Sequence, residues 1–157
     1  SLYLDTELDV VASTAFLEPR AVLHSVSDGR LIRAIALPSR PANEGLRTIL
    51  GLAASSLGHL ILHEVQHQGE QCEPVWRLHV FRVSGAWLAS RVLAGPAVAL
   101  QAMPDARHVF VCTSTTAELF ALPDLRLARR LPQAQGSINT ASVSPDGRAV
   151  LLGTTSG

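Results

Sequence analysis

Aromatic side chains are scarce in this chain: two Trp, four Phe and one Tyr make up 4% of 157 residues. A core must therefore come from Leu, Val, Ala and Ile, and the 47% hydrophobic content supplies them while arguing against disorder. An excess of either charge is missing too. Thirteen basic and thirteen acidic residues cancel, so no global field draws the chain to nucleic acid or to anionic lipid. Cysteine is limited to Cys72 and Cys112, with no CxxC pair, which suits a reducing compartment and thiols that are buried rather than bonded. No apolar run approaches the roughly 20 residues that span a bilayer, so no membrane insertion is expected. Gly-rich phosphate loops and a Gly-x-Ser-x-Gly elbow are absent as well. The start without Met and the abrupt end at Thr-Thr-Ser-Gly are what a segment of a longer protein would show; no signal or transit peptide is visible, and a segment would have lost one that the longer protein carried.

What is present is repetition. Near the end an alternating apolar run reaches Ser144-Pro145-Asp146-Gly147, turns, and leaves as a second apolar run. Pro suits the first central position of such a turn, Asp can bond its own backbone, and Gly tolerates positive φ. Rougher copies precede it. Aligning Val11, Ile61, Phe110 and Leu151 in the second strand of each copy gives spacings of 50, 49 and 41 residues. A Pro-rich insertion at 38–47 and a polar one at 66–74 account for the longer two. Without them the period is about 40, that of a four-stranded propeller blade.

Third strands are expected at 20–26, 76–83 and 117–122, short turns at 27–29, 84–85 and 123–125, and fourth strands at 30–35, 86–93 and 126–131. First strands are expected at 2–4, 48–54, 98–102 and 138–143, short and apolar as strands beside a central channel should be. Trp76, Leu78 and Val80 share one face by period-two alternation, while Phe81 and Val83 make the other face apolar toward its end, as in a strand buried between blades. A helix over 45–54 or 125–131 would fit propensity, but both segments fall in register with strands elsewhere. The expected fold class is all-β: a partial β-propeller of about three and a half four-stranded antiparallel blades, approximately 1–38, 46–94, 96–132 and 137–157.

The Ser-Pro-Asp-Gly-Arg turn, its apolar strand and the following Thr-Ser-Gly resemble WD40 repeats, in degenerate form. No Trp-Asp pair closes a third strand; His24-Ser25, Phe81-Arg82 and Phe120-Ala121 stand there, and Gly58-His59 lies between first and second strands rather than at a repeat's start. A narrower resemblance runs through Val22–Pro38 and Leu78–Ser90. It is to the neurobeachin family of BEACH-domain proteins, whose blades carry a leu-his-(ser/thr)-val strand, a short turn and a leu-x-arg strand, and a leu-his-leu-phe strand before an Asn-Gly-type turn. The tail 144–157 resembles that family's final blade, while Thr14–Pro19 departs from its Gly-Ser-x-Asp-Gly turn. The resemblance implies the WD40 part of a large cytoplasmic scaffold, peripheral to endomembranes, in vesicle trafficking or granule biogenesis. Its implied partners are proteins, missing blades or the BEACH part of the same chain; it implies no cofactor and no active site.

Candidate chemistry is thin. His59, His63 and His67 recur every four residues, which on a helix would suit a shared zinc. On a strand the same spacing sets neighbours about 13 Å apart at roughly 3.3 Å per residue, too far for one ion. A triad of Ser55, His59 and Asp105 has no motif behind it, and Asp28, Asp124 and Asp146 are turn acids without the alternating ligands of a calcium loop. Arg126, Arg129 and Arg130 form a basic cluster that reads first as a solvated strand edge. The insertion at 66–74 is a place to graft a partner site at little folding cost. Expected protein-contact residues are therefore Gln66, His67, Gln71, Trp87, Arg129 and Arg130, with Trp87 as the exposed anchor. The alternative is a piece of a propeller hydrolase or oxidoreductase with its catalytic groups in other blades. The near absence of ionisable groups on the first strands argues against it.

Overall fold

A computed structural model describes residues 2–5, 9–14, 19–39, 45–68, 72–132 and 135–155. Among them are fourteen strands and no helix. The first sheet is β1 (Leu2–Asp5), β2 (Val10–Thr14), β3 (Arg20–Ser25) and β4 (Leu31–Ala36). The second is β5 (Leu46–Ser55), β6 (His59–His67), β7 (Val75–Arg82) and β8 (Trp87–Leu93). The third is β9 (Ala97–Ala102), β10 (His108–Thr113), β11 (Ala117–Ala121) and β12 (Arg126–Arg130), and β13 (Ile138–Val143) with β14 (Val150–Thr154) form the last. Every sheet is an antiparallel meander in chain order. The segments with helical propensity, 45–54 and 125–131, are in β5 and β12, because tertiary burial outweighs propensity.

Three apolar layers hold the sheets face to face. Val10, Ala12, Ala21 and Leu23 of the first sheet pack against Ile49, Leu52, Leu60, Leu62 and Phe81 of the second. Ile61, Leu78 and Val80 on the opposite face of the second sheet meet Val109, Val111, Phe120 and Leu125 of the third. Phe110 and Cys112 then meet Ile138 and Val143. A sheet apolar on both faces can only sit between two others, which is the blade arrangement of a partial propeller.

The repeat is also visible where its sequence signature is missing. The third-to-fourth strand pairing shifts register at Leu23/His24, Val80/Phe81 and Leu119/Phe120. Each shift borders the position where a Trp-Asp pair would close the strand. A bulge there adds twist, so the backbone repeats the irregularity although the side chains do not.

The Ser144 turn forms as its residues require. Gly147 has φ +71° and donates its N–H to Ser144 O at 2.8 Å. Asp146 Oδ1 accepts from the Ser144 hydroxyl at 2.6 Å and from Arg148 N–H at 3.1 Å. The matching turn one blade earlier places Ala106 at φ +56°, a conformation costly for a residue with a Cβ. These two turns touch: a Cβ on Gly147 would stand 3.2 Å from Pro104 Cδ.

Two expectations need amending. β6 continues through Gln66 and His67, so the polar insertion begins later than its composition indicates. Cys112 is buried, but Cys72 is exposed; both are free thiols.

Candidate functional site

The second blade carries most of the polar chemistry, concentrated at the end from which the β4–β5, β6–β7 and β8–β9 connections leave. Leu46 pairs with His67 and Arg47 with Gln66, so the two insertions noted in the sequence leave side by side. Gly45, at φ +80°, presses on the end of β6 so closely that a Cβ would stand 1.7 Å from His67 O. Only glycine fits there.

On the face toward the first blade lies a buried ionic network. Glu64 is fully buried, yet Arg47 Nε donates to its Oε1 and His79 Nε2 to its Oε2, the latter at 2.6 Å. Arg47 Nη1 also donates to Pro38 O at 2.8 Å, which ties the incoming connection to the blade. Burial pushes the Glu64 carboxyl upward, but the hydrogen bonds and charges of His79 and Arg47 prevail and hold it at about 2. Arg47 Nη2 and His79 Nδ1 are buried without hydrogen-bond partners. The neighbouring Arg77 Nη1 donates to Gln66 Oε1 at 2.5 Å.

The face toward the third blade differs. His63 stacks on Trp76 with ring centroids 5.8 Å apart, and its Nε2 accepts the Ala97 N–H at 3.4 Å. Burial lowers its pKa to about 4 against a smaller opposing pull from Glu64, so the ring is neutral near pH 7. Arg91 spans the same interface, its guanidinium 4.8 Å from the Phe120 ring centroid and Nη1 donating to Leu125 O at 3.2 Å.

Beside Trp76 opens a cleft of about 510 Å3, lined by Glu73, Pro74, Trp76, Val92, Gly95 and Pro96 among others. Val92 is 60% exposed at its rim. The cleft thus combines an apolar wall, an aromatic ring and two prolines next to the paired insertions.

The residues singled out in the sequence are distributed as follows. His67 is exposed at this end of the blade. Gln66 is fully buried and engaged with Arg77, so it supports the surface from beneath. Gln71 lies outside the described residues, as do 15–18 of the stretch that departs from the family pattern. Trp87 is 52% exposed, at the opposite end of β8 from Val92, roughly 17 Å away at about 3.3 Å per residue. Arg129 and Arg130 are exposed on β12 of the third blade, and Arg130 Nε donates to Glu118 at 2.8 Å. The five that are described therefore do not form one patch.

Other candidate chemistry stays apart. Ser55 Oγ is 3.2 Å from His59 Nδ1, but Asp105 is bonded to His108 at 2.6 Å, so no triad assembles. Among the described residues no group of three or more His, Cys, Asp and Glu is placed to hold a metal. Sequence reasoning passed over Glu64 and favoured core packing for Trp76 over an anchor for the loop or a ligand. The signal for Glu64 was its parity with Leu60 and Leu62: an acid on an apolar face must find cations.

No family model and no curated protein matches the chain. Among solved structures it is similar to U3-55K, a WD40 propeller protein, with a TM-score of 0.62 at 14% identity over 89% of this chain and 41% of that one. The chain thus spans less than half the length of that relative. At such identity the likeness establishes the fold: an all-β, WD40-like partial propeller.

Proposed function

We propose that the chain is a non-enzymatic protein-interaction scaffold, docking partners at the insertion end of its second blade. The observation that carries this reading is the Trp76 cleft beside two insertions clamped together by Gly45 and by the Arg47–Glu64 pair. A rigid base under exposed loops is the usual setting for recognition. Among inner strands with described side chains, β5, β9 and β13 carry one ionisable group, Arg47, and it is committed to Glu64. That favours docking over the propeller-enzyme alternative.

We further propose a neurobeachin-like BEACH protein as the parent, cytoplasmic and peripheral to endomembranes, with vesicle trafficking as its setting. Support comes from the two segments that carry the resemblance. Val22–Pro38 and Leu78–Ser90 each centre on the third-to-fourth strand hairpin of successive blades, β3–β4 and β7–β8. No helix among the described residues is long and apolar enough to cross a membrane. Peptide mapping of the native polypeptide that yields the 76–93 peptide tests the parentage. BEACH-type peptides in the same product are the expected result, and a product near 17 kDa would overturn it. Docking is tested by Glu73→Arg and Val92→Asp together. Loss of partner recovery with an unchanged urea midpoint supports the site; retained recovery removes it.

A further inference from the structure

The Trp76 cleft has a chemical preference as well as a shape. Among the described residues that line it, Pro74, Trp76, Val92, Leu93 and Pro96 are apolar or aromatic, and Glu73 is the one that bears a charge. Glu73 is exposed, three residues before Trp76, and Trp76 is half-buried and stacked on His63. The cation that this face of the blade supplies for itself is already engaged. Trp76 pairs with Leu93 and Leu78 with Arg91, so Arg91 shares the face of Trp76. Its guanidinium lies 4.8 Å from the Phe120 ring centroid, and its Nη1 donates to Leu125 O. Arg91 shows how this face holds an arginine, with the guanidinium against an aromatic ring and an N–H on an oxygen. The cleft offers the same two kinds of group, Trp76 and Glu73, to an arginine from outside.

We propose, resting on the docking reading above, that the occupant of the cleft is an exposed arginine of a partner protein. The aliphatic stem packs on Pro74, Val92 and Pro96, while the guanidinium meets the Trp76 ring and the Glu73 carboxylate. Charge and shape together select that side chain. An acidic residue meets like charge in Glu73. A wholly apolar one strips water from that carboxylate and gives it no partner. Lysine supplies the charge, but its ammonium is a strongly hydrated point. A guanidinium is planar, sheds water more easily, stacks on a ring and forks onto a carboxylate.

The test is an NMR titration of the full chain, following the Trp76 indole N–H, with Trp87→Phe used to assign the two indole signals. The probes are N-acetyl-arginine methylamide and N-acetyl-citrulline methylamide, which has nearly the same shape and no charge. A saturable Trp76 shift is expected with the arginine probe, and the citrulline probe should bind about fivefold or more weakly. Glu73→Gln, a change at an exposed position, should cut that preference by about twofold or more. The comparison of the two probes in the unaltered chain stands without any variant. Equal binding of the probes, an unchanged preference in Glu73→Gln, or no saturable shift from either probe would each overturn the arginine proposal. The docking reading is judged apart from it, by partner recovery with the Glu73→Arg, Val92→Asp chain.

Discussion

The two faces of the second blade solve the same packing problem in different ways. Toward the third blade it presents Ile61, Leu78 and Val80, an apolar layer crossed by the Arg91–Phe120 contact and by hydrogen bonds from Arg91 to Leu125 O and from Ala97 N–H to His63. Toward the first blade the apolar layer is interrupted by the Arg47–Glu64 ion pair and the His79 imidazole bonded to it, all largely removed from water. The apolar face gains stability from area alone and tolerates small changes of shape. The polar face gains little net stability from its ions, because desolvation offsets attraction, but it cannot lose one member without stranding the others. What the ionic face adds is position: it fixes Pro38, Arg47 and the end of β6, hence the base of both insertions.

The largest effect should come from breaking the ionic face. Glu64→Ala leaves a guanidinium and an imidazole buried without their anion and should lower stability by about 3–5 kcal/mol, read from urea unfolding. An effect below about 1 kcal/mol would mean that water reaches the network.

Acid should then distinguish the faces by pH. His63 is protonated at about 4 in the folded chain against 6.5 as the ordinary value, and Glu64 at about 2 against 4.5. In both windows the unfolded chain binds more protons than the folded one, so stability falls as pH falls. His63 contributes on the order of 3 kcal/mol to the loss between pH 6.5 and 4, where His59, also lowered by burial, adds to it. Between 4.5 and 2 Glu64 loses its share alongside Asp9, Asp28, Asp105 and Asp146, all held below the usual carboxylate range. His63→Phe should remove the larger part of the upper window in urea midpoints and leave the lower one.

On the apolar face a single methylene is the sharper probe. Ile61→Val should cost about 0.5–1.5 kcal/mol. Values well above that would show that the interface is as intolerant as the ionic one. The smallest change is Ala106→Gly, which relieves a φ of +56° and should raise the melting temperature through about 1 kcal/mol of added stability.

Much of the fold is legible in the residues, and the reason is local. The Ser144–Arg148 turn carries its own hydrogen bonds, and strands such as β7 alternate cleanly. The ionic network is not legible, because it depends on a bulge. Pairing shifts register between Ile49 and Gly51, which puts Arg47 and Ile49 on the same face as Leu52 and Ala54. Counting by twos along β5 would send Arg47 to the other blade. Gln66 was misjudged for a related reason: its polar neighbours at 67–74 read as loop, while β6 carries it under the surface. Cys72 reads as an interior thiol by residue type, but it lies within the insertion and is exposed.

The central claim is that partners dock at the insertion end of the second blade. The most direct measurement places a photo-cross-linking benzoylphenylalanine at Val92, on the rim of the Trp76 cleft, and in a parallel chain at Leu57. Leu57 is similarly exposed, at 61% against 60%, but lies in the β5–β6 turn at the opposite end. A discrete protein adduct from Val92 that is absent from Leu57 is the expected result. The same adducts from both positions, or none from Val92, would contradict the account.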